Sequence, residues 1–134
     1  MDRSKLVELA LEARKKSYSP YSNFQVGAAL LAKNGTIYTG CNIENAGYTP
    51  SNCAERTAFF KAVSEGERSF AAIAITGGGG EEPNTLCAPC GVCRQVMAEF
   101  CGGEFRVILG TPNAIEVHAL KDLLPLSFGK SDLA

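Results

Sequence analysis

The sequence lacks a strong charge of either sign, a long apolar run and an apolar leader segment. Thirteen Lys and Arg against fourteen Asp and Glu give a formal net charge of -1, which excludes the broad basic face that a phosphate backbone demands. No apolar stretch approaches the roughly 20 residues that span a bilayer, and residues 1–5 open an amphipathic helix pattern instead. We therefore expect a soluble, cytoplasmic protein with neither nucleic acid nor membrane as its partner.

Internal repeats and linker segments are also missing. The chain has 134 residues, of which 46% are hydrophobic, and this is enough for one domain to bury a core of its own. We expect a single domain over residues 1–134.

The spacing of apolar residues predicts helices that alternate with strands. Helices are expected at 2–17, at 53–65 and from Gly91 to about residue 102, with one helical turn at 121–124.

The strands begin with a predicted hairpin. Its two strands are expected at 24–32 and 36–42, because Asn34-Gly35 between them is a strong turn signal. Further strands are predicted at 70–76, 105–109 and 116–119, and a loop at 77–83 where four glycines follow one another. This alternation predicts a layered α/β sandwich with a mixed sheet.

Six cysteines are the first informative feature. Without an export signal they are expected to be metal ligands, catalytic groups or buried thiols, because the cytosol keeps thiols reduced. Cys53, Cys90 and Cys93 fall where predicted loops turn into helices, and a helix start favours thiolate over thiol. Three thiolates leave tetrahedral zinc one open position for water.

Glu55 follows Cys53 by two residues and is a candidate proton carrier beside such a metal. Its side chain can converge with Cys53 only if the cysteine lies at the opening turn of the helix, because positions i and i+2 otherwise diverge. Cys87 leaves an alternative open: with the other three thiols it could close a four-thiolate structural site, and the protein would then be a non-catalytic zinc module. Against that alternative, a structural site gives no reason for Glu55.

Several motifs in order resemble one family. Cys53-Ala54-Glu55 together with residues 89–95 (PCGVCRQ) is similar to the signature of zinc-dependent deaminases, and Cys in place of the more widespread His resembles the small cytidine deaminases. Residues 17–30, 40–46 and 123–128 resemble the opening segment, the ribose-reading segment and the aromatic C-terminal end of that family.

The resemblance implies a three-layer α/β/α sandwich with a mixed five-stranded sheet, assembled as a homotetramer. It also implies one Zn²⁺ per chain on Cys53, Cys90 and Cys93. The implied reaction, in pyrimidine salvage, converts cytidine and 2'-deoxycytidine to uridine and 2'-deoxyuridine with release of ammonia. Zinc-bound hydroxide attacks C4 and Glu55 moves the protons. Another small cytosine-containing compound, such as a nucleoside antibiotic, is the alternative substrate.

The resemblance further implies a set of substrate contacts: Phe24, Asn42, Glu44, Tyr48, Ala54 and Phe128. Asn42 and Glu44 match positions that bind the sugar hydroxyls, and the two phenylalanines match aromatics that line or stack on the pyrimidine. Tyr48 matches a position that a neighbouring subunit supplies in the tetrameric members.

Arg56 is expected to tune the metal. Three thiolates on Zn²⁺ leave a formal charge of -1 at the site, which makes the metal a weaker Lewis acid. Because Arg56 lies in the first turn of the same helix, its guanidinium can donate hydrogen bonds to thiolate sulfurs and offset that charge.

Overall fold

One mixed sheet of five strands organises the part of the chain that the computed structural model describes, residues 2–80, 83 and 86–133. The strands are β1 Phe24–Ala32, β2 Ile37–Cys41, β3 Phe70–Gly79, β4 Arg106–Thr111 and β5 Ala114–Ala119. Their order across the sheet is β2-β1-β3-β4-β5. Only β3 and β4 pair in parallel, and the three other pairs are antiparallel. The prediction of a mixed five-stranded sheet is therefore confirmed.

Helices cover both faces of this sheet. They are α1 Arg3–Arg14, α2 Ala54–Ser64, α3 Gly91–Phe100, α4 Leu120–Leu123 and α5 Lys130–Leu133. Apolar residues of α1 pack on one face of the sheet, and those of α2 and α3 pack on the other. The expected three-layer α/β/α sandwich is confirmed.

Helix α1 is shorter than predicted. Asp2 caps its N-terminus by accepting a hydrogen bond from the backbone N–H of Ser4 at 3.3 Å. The helix ends at Arg14, not at residue 17, because the N–H of Ser17 bonds to the Arg14 carbonyl and the N–H of Tyr18 turns away to the carbonyl of Asn42. The chain thus leaves the helix to meet the segment that follows β2.

The core under α2 and α3 is aromatic. Phe59 is fully buried and contacts the rings of Phe70, Phe100 and Phe105 at centroid distances of 5.1, 6.2 and 6.1 Å. Buried aromatic pairs add to area burial through their edge-to-face and offset geometries. This packing fixes α2 and α3, whose N-termini carry the candidate site.

Strand β3 contradicts the predicted loop at 77–79, whereas Gly80 lies beyond the strand as predicted. It continues to Gly79, because Gly77 and Gly78 keep the antiparallel register with Val26 and Gln25 of β1. A Cβ built at Gly77 would lie 2.7 Å from the Cys87 sulfur, so glycine is needed there for close packing. Glycine is depleted in strands in general, which is why the run was assigned to a loop. Residues 81 and 82 of the predicted loop lie outside the described residues.

The remaining elements differ from prediction by a few residues. The hairpin loop covers 33–36 and places Gly35 at φ 94°. Helix α5 was not predicted. Within the described ranges, no helix is long and apolar enough to cross a membrane.

Candidate active site and metal centre

Three cysteines meet at the N-termini of two helices. Cys53 is the N-cap of α2 and Cys90 is the N-cap of α3, both with extended backbone, while Cys93 lies buried in the first turn of α3. The Cys53 and Cys90 sulfurs are 3.8 Å apart and the Cys90 and Cys93 sulfurs 3.5 Å apart. All three sulfurs lie within 4.8 Å of one another.

This group fits zinc. Tetrahedral ligands with a Zn–S distance of about 2.3 Å lie about 3.8 Å from one another, close to the sulfur separations observed. Three soft sulfur donors also match the ligand preference of zinc over Mg²⁺ or Ca²⁺. The described residues thus contain a three-cysteine cluster whose donors and spacing fit zinc.

Cys87 lies outside this group. The cluster of metal-ligating side chains found among the described residues comprises only the other three cysteines, and the Cys87 sulfur packs against Gly77. Burial raises the pKa of Cys87 to about 12. The four-thiolate alternative finds no support in this geometry.

A glycine sets the position of α2 on the sheet. A Cβ built at Gly40 of β2 would lie 2.5 Å from the Ala54 carbonyl oxygen and 2.6 Å from the Ala58 nitrogen. Only glycine permits this approach, since real Cβ contacts do not come so close. The first turn of α2, with Cys53 at its cap, is thereby held directly against β2.

Glu55 lies in the first turn of α2 and is 4% exposed. Burial raises its pKa to about 7, and the neighbouring Cys53 adds to the rise. The extended backbone of Cys53 lets the two side chains converge, as the spacing of i and i+2 required. A carboxyl group that exchanges its proton near neutral pH is suited to general acid and base catalysis.

Arg56 reaches the three-cysteine cluster. Its Nη2 donates to the Cys53 sulfur at 3.3 Å. The pKa of Cys53 is lowered to about 5, chiefly through the facing Cys93 thiol and then through Arg56. The guanidinium therefore lies where it offsets negative charge on a ligand sulfur.

A cavity of about 500 Å³ lies beside this cluster, and of the three clustered cysteines Cys53 and Cys90 line it. Its wall includes five of the six predicted substrate contacts, Phe24, Asn42, Glu44, Tyr48 and Ala54, beside Glu55, Arg56, Cys53 and Cys90. Phe128 is not part of this wall; it is 59% exposed, and its carbonyl accepts a hydrogen bond from Gln95. Tyr48 borders the cavity of its own chain and is 84% exposed.

Within the part of the chain that the structure describes, Asn42 and Glu44 each retain one hydrogen-bonding position. The Asn42 oxygen accepts from Ser17 and from the Val26 N–H, and its amide nitrogen donates one hydrogen to the Phe24 carbonyl at 2.8 Å. One N–H of Asn42 is left.

The Glu44 carboxylate is also held by hydrogen bonds. One oxygen accepts the N–H groups of Tyr21 and Ser22 at 3.0 and 3.1 Å, and the other accepts the Ser22 hydroxyl. The Ser22 bond lowers the pKa of Glu44, so the group stays ionised. Sequence reasoning missed Ser22; the available signal was the turn at Ser19-Pro20, which brings the next residues back toward Glu44.

Comparison with known proteins agrees with the fold and the centre. The family model for the cytidine and deoxycytidylate deaminase zinc-binding region matches residues 1–110. A cytidine deaminase of Sporosarcina psychrophila is 54% identical over 100% of this chain and 96% of its own length.

Solved structures give the same result. The crystal structure of cytidine deaminase from Burkholderia pseudomallei is 47% identical, covers 96% of this chain and 100% of its own, and superposes with a TM-score of 0.88. The Mycobacterium tuberculosis cytidine deaminase is 37% identical, with a TM-score of 0.81 and coverage of 96% and 98%. The chain belongs to the cytidine deaminase family.

Proposed function

We propose that this protein is a zinc-dependent hydrolase that deaminates cytidine and 2'-deoxycytidine to uridine and 2'-deoxyuridine, releasing ammonia, in pyrimidine salvage. One observation carries the proposal: the buried carboxyl of Glu55 faces the same cavity as Cys53 and Cys90, whose sulfurs cluster with that of Cys93 behind them. The names of its relatives supply the substrate class.

Cys53, Cys90 and Cys93 hold one zinc ion per chain in this proposal. The ion supplies the Lewis acidity that makes water a nucleophile near neutral pH. Arg56 reduces the negative charge on the ligand set through its bond to Cys53.

Glu55 is the proton carrier. It takes a proton from the attacking water and delivers it to N3 of the pyrimidine. It then takes the proton of the new C4 hydroxyl and gives it to the amino group, so that the C4–N bond breaks, ammonia leaves and the C4 carbonyl forms. The pKa near 7 that burial gives this group allows both directions of transfer. The apolar wall that includes Phe24 and Ala54 shields the ring from bulk water.

The sugar end of the cavity favours a hydroxyl group. The remaining N–H of Asn42 is a donor and the remaining lone pair of Glu44 is an acceptor. A hydroxyl uses both at once, since it donates and accepts, whereas a phosphate only accepts and is repelled by Glu44. Among the residues that line the cavity Arg56 is the sole cation, and it already bonds to Cys53. The nucleoside is therefore a better substrate than the nucleotide.

The assembly proposed is a homotetramer whose sites lie near subunit interfaces. Phe128 supports it, because this aromatic is exposed and does not reach the cavity of its own chain. In a tetramer Phe128 completes the pyrimidine site of a neighbour.

The proposal is tested with Glu55→Gln, which keeps the size of the side chain and removes its acid and base function. We expect kcat for cytidine to fall by at least about 10² to 10⁴, with zinc content and melting temperature retained. Glu65→Gln is the matched control, since Glu65 is the exposed C-cap of the same helix. Near-parental turnover in Glu55→Gln would remove Glu55 from the mechanism.

A further inference from the structure

Two consecutive side chains of α3 reach the C-terminal turn, which we define as residues 123–128. Arg94 donates through Nη1 to the Leu123 carbonyl at 2.7 Å. Gln95 donates through Nε2 to the Phe128 carbonyl at 2.8 Å. The two bonds therefore fasten both ends of the C-terminal turn to the helix that carries Cys93.

Leu123 at the start of the C-terminal turn packs against the core, but residues 125–128 are exposed and have little other anchorage. Leu126 is 106% exposed and adopts a left-handed φ of 51°, a conformation that disfavours a residue with a Cβ. In the part of the chain that the structure describes, no other side chain donates a hydrogen bond to residues 123–128. Its conformation thus depends on Arg94 and Gln95 more than on burial.

Arg94 also contacts the segment that carries a metal ligand. Its Nε donates to the Pro89 carbonyl at 2.8 Å, and Pro89 directly precedes Cys90 while Arg94 directly follows Cys93. One planar guanidinium hence joins the ligand segment to the C-terminal turn, a geometry that the single ammonium of lysine cannot reproduce. Bonds from a charged donor are among the stronger ones in proteins.

We propose that Arg94 and Gln95 are positioning residues, which hold the C-terminal turn and the Cys90 segment in one fixed relation. The consequence for the reaction rests on the proposed function, in which Phe128 of the C-terminal turn contacts the pyrimidine of a neighbouring site. Arg94 then serves both zinc retention and the placement of Phe128. Gln95 serves the placement of Phe128 alone.

Three variants separate these roles. Gln95→Met keeps the length of the side chain and removes the donor, Arg94→Gln removes the forked donor, and Arg94→Lys keeps the charge without the fork. Arg106→Gln on β4 is the control for loss of an exposed arginine. Each zinc-loaded protein is measured by deuterium uptake of the peptide that contains the C-terminal turn, by the rate of zinc loss to a chelator, and by KM and kcat for cytidine.

In Gln95→Met we expect uptake in the C-terminal turn to be about tenfold faster, as loss of one hydrogen bond implies. KM should rise several-fold while kcat and zinc loss stay parental. In Arg94→Gln and Arg94→Lys we expect faster uptake together with about tenfold faster zinc loss. Arg106→Gln should change none of these.

Unchanged uptake in both Gln95→Met and Arg94→Gln would overturn the proposal, as would zinc loss that stays parental in Arg94→Gln. Parental uptake and parental zinc loss in Arg94→Lys would also overturn it, because the positive charge alone, without the forked guanidinium, would then hold the two segments. If the parent does not deaminate cytidine but uptake and zinc loss change as expected, the proposed function fails and the positioning role stands.

Discussion

Replacing Arg56 with glutamine tests whether charge at the metal centre controls the reaction. The guanidinium donates to the Cys53 sulfur at 3.3 Å, and its Nε is buried without a hydrogen-bond partner in the described structure. Glutamine retains a neutral donor of shorter reach. Arg56→Gln thus removes one positive charge from a site with three negative ligands.

The size of the effect follows from the distance. At 3.3 Å and an effective dielectric constant near 20, one pair of charges interacts by about 5 kcal/mol. Arg56 is only half-buried, so solvent screens part of this energy. A remaining loss of about 1.5 to 3 kcal/mol in transition-state stabilisation corresponds to roughly one to two decades in kcat.

We therefore expect Arg56→Gln to lower kcat for cytidine by about 10- to 100-fold and to speed zinc loss to a chelator. Arg68→Gln is the matched control, because Arg68 is exposed and bonds only to the backbone carbonyls of Val63 and Glu67. Adding Cys53→His replaces a thiolate by a neutral ligand. This second change should restore part of the lost rate.

Parental kcat in Arg56→Gln, with zinc held equally well, would refute the charge argument. A double variant with Arg56→Gln and Cys53→His whose kcat is lower than that of Arg56→Gln alone would refute it as well, because the expected recovery of rate rests on net charge. Thermal melting of each variant shows whether a loss reflects folding instead.

Three further outcomes are expected. Cys87→Ser should keep one zinc per chain and most activity while Cys90→Ser loses the metal; zinc loss in Cys87→Ser, seen by metal analysis, would revive the four-thiolate site. Phe128→Ala should raise KM for cytidine more than it lowers the melting temperature, and light scattering should show a tetramer; a fully active monomer would contradict both expectations. Cytidine 5'-monophosphate should be deaminated with a kcat/KM at least about 10²-fold below that of cytidine, since Glu44 repels phosphate; equal values would show that the sugar end does not select against charge.

The sequence predicted the layered fold because its helices and strands have clear apolar periodicity and clear stop signals. Helix α2 was expected at 53–65 and lies at Ala54–Ser64. The end of α1 was misjudged, since a hydrogen bond from Tyr18 to Asn42, distant in sequence, decides where the chain leaves the helix.

The prediction of a loop was wrong at 77–79 for a related reason. Local propensity disfavours glycine in a strand, but pairing with β1 and packing against Cys87 decide the outcome at Gly77. Neither contact can be read from a short window of sequence.

The candidate site was anticipated in its residues more than in its geometry. Motif spacing predicted that Cys53, Cys90 and Cys93 lie close together, and their sulfurs do cluster. The saturation of the Asn42 oxygen could not be foreseen, because its donors Ser17 and Val26 lie 25 and 16 residues away in sequence. The turn at Ser19-Pro20 hinted that the chain returns toward Glu44, but not that Ser22 binds its carboxylate. The hydrogen bonds from the Arg94 guanidinium to the carbonyls of Pro89 and Leu123 could not be foreseen either, because these two residues lie far apart in sequence.

Product analysis tests most directly whether the protein deaminates cytidine by hydrolysis at a three-thiolate zinc centre. Zinc-loaded protein is incubated with cytidine, and uridine and ammonia are quantified together. We predict that the two products form in equal amounts, with many turnovers per chain and one zinc per chain. A protein that holds one zinc per chain and forms neither uridine nor ammonia would contradict the account.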